Sequence, residues 1–333
     1  MPVFAVEDWQ LDLQLAECHT SYILQNESGC QDMVEDRKMT HSTPHLFALS
    51  RLFSSSVFKE LATKGRSPLF TRLLKEAGNL IDLRPQNSVS EAFTTAFAVL
   101  RKSGIRNEYV YRSALTQNIL LGRHSLNTAS MLTEFRAGSC KADVAILNGT
   151  STVYEIKSER DSLSRLANQI ENYRKVFAKI YVIAGEAHVE DVVNSTATDV
   201  GVMCLARWDR IHTIREAANR PDLVSPVEIF ESLRLNEARQ ILQDLDVPVP
   251  IVPNTMQHAA MRECFAKQKP ETVHHLMVKT LKRTRNLSDL GDLVQQLPAA
   301  LKPAALSIKI KHADHFRLIN ALDTPLADAM TWA

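Results

Sequence analysis

The sequence predicts an α/β protein whose mixed core lies between about residues 105 and 206, with helices on both sides of it. Three short runs with strand character come first, and Asn148-Gly149 between the second and third is a strong hairpin signal. An amphipathic helical stretch follows, and then two continuous apolar runs, as expected for strands that helices cover on both faces. The predicted strands are 131–136, 142–147, 152–157, 180–184 and 200–206. The core order is therefore helix, three strands, helix, strand, strand.

The region before this core is predicted to be a polar tail followed by a helical segment. Residues 1–45 are polar and irregular and contain several turn signals, so we expect a tail without a core of its own. Over 46–104 apolar residues recur at mostly helical intervals, interrupted near 65–68, which predicts two short helices before residue 77. Another helix is predicted over 92–100. Gly104 separates it from the first core helix, at 109–121.

The helix inside the core and the helices after it are predicted from the same helical spacing of apolar residues. The amphipathic stripe consists of Leu163, Leu166, Ile170, Tyr173 and Phe177, at steps of three and four. After about residue 208 no strand pattern is found, and 211–333 is predicted to be a separate helical domain. Its clearest helical stretches are 227–245, 256–267 and 271–285, with a proline-rich connector at 247–253.

Composition and charge limit the function classes. Hydrophobic residues make up 45% and charged residues 23% of the chain, and the formal net charge is +1. This balance excludes a strongly basic protein, so any nucleic-acid binding must come from local patches. Five scattered cysteines argue against a disulfide framework and for a reducing compartment, which we expect to be the cytoplasm. The sequence offers no secretory pattern and no membrane-spanning run, so we expect no membrane partner.

The candidate catalytic residues come from an apolar strand that carries charges. In the run 152–157, strand alternation puts Glu155 and Lys157 on one face, where such charges need a metal, a counter-charge or a polar cleft. Asp143 on the preceding strand is the candidate second carboxylate. A two-residue hairpin loop would set Asp143 against Tyr154, on the other face, whereas a three- or five-residue loop or a bulge would set it against Glu155. Two carboxylates at that spacing can share Mg²⁺.

These residues resemble a known family. The pattern is similar to that of the PD-(D/E)xK nuclease superfamily, which has the restriction-endonuclease-like αβββαβ fold. It consists of Asp143 followed by Glu155-Ile156-Lys157, and it lies within the predicted order of helix, three strands, helix and strand. Ala142 stands where the name-giving proline would be, which removes no ligand. The resemblance covers about residues 105–206 and is closest to little-characterised bacterial members. It implies that Asp143, Glu155 and the Ile156 carbonyl bind Mg²⁺ or Mn²⁺, and that Lys157 orients water and steadies phosphate charge.

The resemblance also implies residues around this center. Many superfamily members have a further acidic residue upstream, and Glu134 is preferred over Glu108 for that catalytic and metal-binding place. Gln169 and Tyr173 resemble the Gln-x-x-x-Tyr element of the RecB-like branch. Ser158, Asp161 and Arg165 are expected at the same rim, although Asp161 is equally suited to cap the helix and Tyr173 to fill the core.

The function expected from these features is divalent-metal-dependent hydrolysis of phosphodiester bonds, with DNA as the expected substrate, in defence, repair or a mobile element. The alternative is an inactive nuclease fold that serves as a nucleic-acid-binding or protein-interaction module. Phosphate contacts are expected from a basic helix end, although a solvated face explains those charges about as well. That helix end carries Lys279, Lys282, Arg283 and Arg285. The helical C-terminal domain is also a candidate docking surface for a protein partner.

Overall fold

A computed structural model describes residues 43–102 and 106–332, and within them the protein is α/β, as predicted. The strands form one mixed sheet in which their spatial order equals their order along the chain. The first three strands are antiparallel neighbours, the third, fourth and fifth are parallel, and the sixth is antiparallel to the fifth. The strands are β1 (Ser130–Ala137), β2 (Cys140–Asn148), β3 (Thr150–Lys157), β4 (Lys179–Gly185), β5 (Gly201–Leu205) and β6 (Ile211–Arg215).

The hairpin between β2 and β3 turns at Gly149, which has a φ of 71°. Asn148 pairs with Thr150 across this turn, so Gly149 is the one residue between the paired positions. Such a left-handed conformation carries no steric cost for glycine because it lacks a Cβ. The turn therefore sets the register of the two strands that carry the candidate catalytic residues.

Helices pack on both faces of the sheet. The helices of eight or more residues are α1 (Thr43–Leu52), α2 (Ser55–Lys64), α3 (Pro68–Ala77), α4 (Val89–Leu100), α5 (Glu108–Leu115), α6 (Leu166–Arg174), α7 (Leu235–Asp244), α8 (Asn254–Ala266), α9 (Pro270–Thr284) and α10 (His315–Asp323). Shorter α-helices are Leu121–Arg123, Val189–Ser195, Pro226–Ser232, Gly291–Gln296, Lys302–Ser307 and Leu326–Ala329. Serine side chains cap α2, α3 and α4 by accepting a hydrogen bond from the first turn.

Two hydrophobic clusters lie on the opposite faces of the sheet. Tyr154 and Ile156 of β3 belong to the first cluster, which α1 to α5 and the chain end from about 287 cover. Val153 belongs to the second, which α6 to α9 cover. Residues on both sides of position 210 contribute to each cluster, and all described elements pack into one unit. The helices predicted as a C-terminal domain therefore divide between the two faces.

Several predicted elements differ from those observed. The prediction that strands stop after about residue 208 was wrong, because β6 forms the far edge of the sheet. Its residues Ile-His-Thr-Ile-Arg are mostly exposed and lack the alternating apolar pattern that reveals a half-buried strand. Three helices, rather than two, precede residue 77. The predicted tail, up to residue 42, and Gly104 lie outside the described residues.

None of the helices that the structure describes is both long and apolar enough to span a lipid bilayer.

Candidate active site

The register of the β2–β3 hairpin places Asp143 beside Glu155. Val144 of β2 pairs with Tyr154 of β3, and this register continued by one residue sets Asp143 opposite Glu155. The backbone N–H of Ile156 donates a 2.8 Å hydrogen bond to Oδ2 of Asp143. Of the two registers that the sequence left open, the structure therefore has the one that brings both carboxylates to one face.

Glu155 and Lys157 form a buried ion pair at the end of β3. Their side chains are 2% and 5% exposed, and Nζ of Lys157 lies 2.9 Å from Oε1 of Glu155. The hydroxyl of Tyr173 donates to Oε2 of Glu155 at 2.6 Å, and Nζ of Lys157 donates to Oε1 of Gln169 at 2.9 Å. Gln169 and Tyr173 are one turn apart on α6, so that helix holds both charged groups in place. Such hydrogen bonds are what a desolvated pair requires.

The charge of Glu155 also affects the pKa values of Asp143 and Tyr173. Burial raises the pKa of Asp143 to about 7, and the nearby Glu155 carboxylate acts in the same direction. The hydrogen bond from Ile156 lowers this pKa but does not offset burial. Burial and the carboxylate of Glu155 raise the pKa of Tyr173 above its ordinary value, so its hydroxyl stays a donor. Burial and the neighbouring carboxylate therefore both disfavour the ionised form of Asp143.

Asp143 also belongs to an acidic cluster with Glu108 and Glu134. One carboxylate oxygen from each of the three lies within 4.8 Å of the others. Glu108 is the first residue of α5, and Glu134 lies in β1, where the β1–β2 register sets it opposite Asp143. The backbone of Glu134 has a φ of 52°, which is uncommon for a residue with a side chain. Both upstream acids weighed from the sequence therefore reach Asp143.

A cleft of about 540 Å³ lies over Glu108, Asp143 and the Glu155–Lys157 pair, whereas Glu134 and Tyr173 are not among the residues that line it. The predicted site residues that line it are Asp143, Glu155, Ile156, Lys157, Ser158, Asp161, Arg165 and Gln169. Asp161 does not cap α6: its Oδ2 accepts hydrogen bonds from the N–H and hydroxyl of Ser158, at 2.8 and 2.7 Å. This turn closes the loop after β3 and leaves Arg165 exposed just before α6.

The sequence family model that matches the chain covers residues 101–296, more than half of its length, and is described as bacteriophage P4 protein cII. The chain belongs to the bacteriophage P4 protein cII family. Protein cII of Enterobacteria phage P4 is 37% identical over 65 residues, which are 20% of this chain and 25% of the phage protein. The match thus spans a quarter of that relative's length.

The solved structure of a protein of unknown function from Silicibacter pomeroyi is similar at 18% identity, with a TM-score of 0.25. That comparison covers 36% of this cII-family chain and 81% of the other protein. The family model contains all six strands and the acidic cluster, whereas α1 to α4 lie before its first residue.

Several residues that line the cleft of this cII-family protein were not predicted from the sequence, and Arg106, Arg160 and Phe47 bear most on its chemistry. Arg106 is buried, pairs with Glu159, and donates a 2.7 Å hydrogen bond to the backbone oxygen of Leu205, which joins the ends of β3 and β5. Arg160 is exposed in the loop after β3. Phe47 of α1 is 64% exposed. The helical pattern of 46–77 contained Phe47, but only packing reveals that its side chain faces the cleft.

The basic C-terminal residues lie outside the cleft that the described residues form. Arg285 makes two hydrogen bonds to the fully buried carboxylate of Glu237, at 2.8 and 2.7 Å, and its guanidinium lies over the ring of Phe135. Lys279 pairs with Asp244 at 3.3 Å. Lys282 and Arg283, half-buried and exposed respectively, form no ion pair with any described residue. Two of the four predicted phosphate contacts are thus already paired within the protein.

Proposed function

We propose that this cII-family protein is a divalent-metal-dependent nuclease that hydrolyses phosphodiester bonds, with DNA as the expected substrate. The observation that supports it most is the buried Glu155–Lys157 pair beside Asp143, held by Gln169 and Tyr173 at the floor of an open cleft. The helix, three strands, helix and strand around this pair support a restriction-endonuclease-like core of the PD-(D/E)xK type. Intracellular action in defence, repair or a mobile element is part of the same proposal.

The buried pair is poorly explained by stability alone. Replacing a buried ion pair with well-packed apolar side chains is often neutral or stabilising, by about 1–4 kcal/mol. Glu155 and Lys157 lie in the stretch Val153–Lys157 of β3, in which every position is buried and the other three side chains are apolar or aromatic. Charged groups retained at the floor of a cleft, with a raised pKa at the adjacent Asp143, are the features expected of a catalytic site.

The donor groups suit Mg²⁺ or Mn²⁺. Asp143, Glu134 and Glu108 offer carboxylate oxygens close together, and hard divalent cations prefer such ligands. We propose these three as the holding set, joined by Glu155 and the Ile156 carbonyl when the Glu155–Lys157 contact opens. A bound cation would supply Lewis-acid stabilisation of the scissile phosphate and favour hydroxide at neutral pH.

The side chains of the chain itself would then act on the substrate. The Lys157 ammonium, which Gln169 positions, can donate to a phosphate oxygen and stabilise the negative charge that develops on it. Tyr173 holds the Glu155 carboxylate in one orientation through its 2.6 Å hydrogen bond. Because the pair is desolvated, these interactions are stronger than they would be in water.

Incubation of the purified full chain with linear and circular duplex DNA, single-stranded DNA and RNA tests this proposal. Cleavage is expected with Mg²⁺ or Mn²⁺ and not with EDTA. Asp143→Asn should lower the rate by at least about a hundredfold, as for loss of one charge-stabilising group. Asp222→Asn, an exposed aspartate outside the cleft, is the matched control and should cleave like the wild type. Equal rates for wild type and Asp143→Asn would contradict the proposed site.

An inactive nuclease fold that only binds nucleic acid or protein is the second candidate. It is favoured by one observation: both carboxylate oxygens of Glu155 are already bonded, one to Lys157 and the other to Tyr173. Binding of DNA without cleavage under every metal condition above would support this candidate over the enzyme.

A further inference from the structure

We propose that the cleft takes nucleic acid as a single strand, with an unpaired base stacked on the ring of Phe47. This inference rests on the proposed function and names the substrate class of the same site. It starts from the wall of the cleft that lies opposite the catalytic groups. That wall comes from α1, α4 and the start of α5.

The ring of Phe47 is an available stacking surface. Its side chain is 64% exposed, although Leu46 beside it in the sequence and Leu100 of α4, which line the same cleft, are buried. A single exposed apolar residue is common on a protein surface. Phe47 differs from that ordinary case because its exposed ring shares one cleft with Asp143 and Lys157.

Cationic groups flank the ring and the catalytic floor. Arg160 and Arg165 line the cleft, are exposed, and form no ion pair with any described residue. The guanidinium of Arg51 lies 5.7 Å from the center of the Phe47 ring and is likewise exposed. Guanidinium groups bind phosphate oxygens in bidentate fashion. An aromatic platform beside free cations is the arrangement with which proteins bind single-stranded nucleic acid.

An unpaired base fits this arrangement better than a base within a duplex. Away from the ends of a duplex, both faces of each base are covered by its neighbours, so a phenyl ring has no base face to contact there. A cleft of about 540 Å³ is also within the range of sites for small ligands, which suits one or two nucleotides that leave the stack. Phosphate binding by Arg160 and Arg165 would then carry the strand from the Phe47 platform toward Lys157.

The test is fluorescence anisotropy with the full chain in EDTA, using a labelled oligothymidine and a labelled blunt-ended duplex annealed from two separate strands. Phe47→Ala should weaken binding of the single strand by roughly 5- to 150-fold, the change that corresponds to one base–aromatic stack. Binding of the duplex should change less than twofold, which is about 0.4 kcal/mol. Phe47→Trp, which keeps an aromatic face, should bind the single strand at least as well as the wild type.

Phe316→Ala is the matched control. Phe316 is 76% exposed on α10 and lies outside the cleft, so its truncation removes a similar surface without touching the site. Its affinity for the single strand should equal that of the wild type. Because Phe47 is itself mostly exposed, both alanine variants are expected to unfold at the wild-type temperature, which circular dichroism would verify.

The possible outcomes separate the two proposals. Unchanged single-strand affinity in Phe47→Ala, with Mg²⁺-dependent cleavage intact, would overturn the stacking inference and leave the nuclease proposal standing. An equal loss for single strand and duplex would overturn the single-strand preference. Absence of both binding and cleavage for every nucleic acid tested would overturn the nuclease proposal, and the substrate class with it.

Discussion

Replacing Asp143 with Asn is expected to stabilise the metal-free protein, and to do so more at pH 8 than at pH 5. Burial and the nearby Glu155 carboxylate raise the pKa of Asp143 from 3.8 to about 7 in the folded state. The folded protein therefore favours protonated Asp143, and the stability this contributes is present below about pH 4 and lost as the pH rises to about 7. Asn carries no charge, yet keeps an oxygen that can accept the hydrogen bond from Ile156.

The magnitude follows from the size of the pKa shift. One pKa unit corresponds to about 1.4 kcal/mol, so the shift predicts that the wild type loses about 2–3 kcal/mol relative to Asp143→Asn between pH 5 and pH 8. Above about pH 8, where Asp143 is ionised in both the folded and the unfolded state, the difference should stay constant. Because Asp143 is only half-buried and solvent in the cleft screens its charge, we expect about 1–3 kcal/mol in practice.

Urea unfolding in EDTA at pH 5 and pH 8 measures this difference. Asp222→Asn is the control: a hydrogen bond from Arg220 lowers the pKa of this exposed carboxyl, so its neutralisation should bring no gain at pH 8. Adding Mg²⁺ at pH 8 should stabilise the wild type more than Asp143→Asn, since a ligand stabilises the state that binds it. If Asp143→Asn is no more stable than the wild type at pH 8, or if its advantage is the same at both pH values, the charge of Asp143 does not destabilise the fold.

Three further substitutions test the packing around the site. Lys157→Met should destabilise the fold by about 3–5 kcal/mol, because it leaves the buried Glu155 carboxylate without its cation. The double variant that also carries Glu155→Gln should recover part of that stability, and urea unfolding of the single and double variants measures both changes. Tyr173→Phe should lower the free energy of unfolding by about 1.5–3 kcal/mol, since Glu155 loses an orienting hydrogen bond. It should also lower kcat more than it raises KM, and a change in KM alone would argue against an orienting role. Arg285→Ala should destabilise the fold by about 3–5 kcal/mol, because it leaves the fully buried Glu237 carboxylate without its cation. Urea unfolding measures this loss, and an unchanged stability would contradict the structural role of Arg285.

Much of the element order of the sheet could be predicted from local patterns. The five predicted strands correspond to β1 to β5, with bounds that differ by a few residues, because apolar alternation and the Asn148-Gly149 turn act over short distances along the chain. β6 was missed because it is an exposed edge whose pairing with β5, rather than burial of its own side chains, defines it as a strand. The residues of β6 alone do not indicate that β5 is their pairing partner.

The candidate site was likewise predictable from local patterns only in part. Placing Glu155 and Lys157 on one strand face needed only the two-residue repeat of a strand. Their partners on α6 followed from the one-turn spacing of Gln169 and Tyr173, but the hydrogen bonds themselves depend on how α6 packs against the sheet. The sequence favoured Glu134 over Glu108 but did not show that both lie near Asp143, because this depends on α5 reaching β1 and β2 across a long stretch of chain.

The sequence by itself determined the α/β class, the strand that carries the buried ion pair and the helix that supports it, because periodicity and turn chemistry are local properties. The tertiary structure decided the rest. A single-residue turn at Gly149 selected the register that joins Asp143 to Glu155, where one more residue would have moved the carboxylate to the other face. Packing of α1 brought Phe47 to the cleft, and packing of α9 on α7 joined Arg285 to Glu237, since contacts between residues far apart in the chain depend on the whole fold.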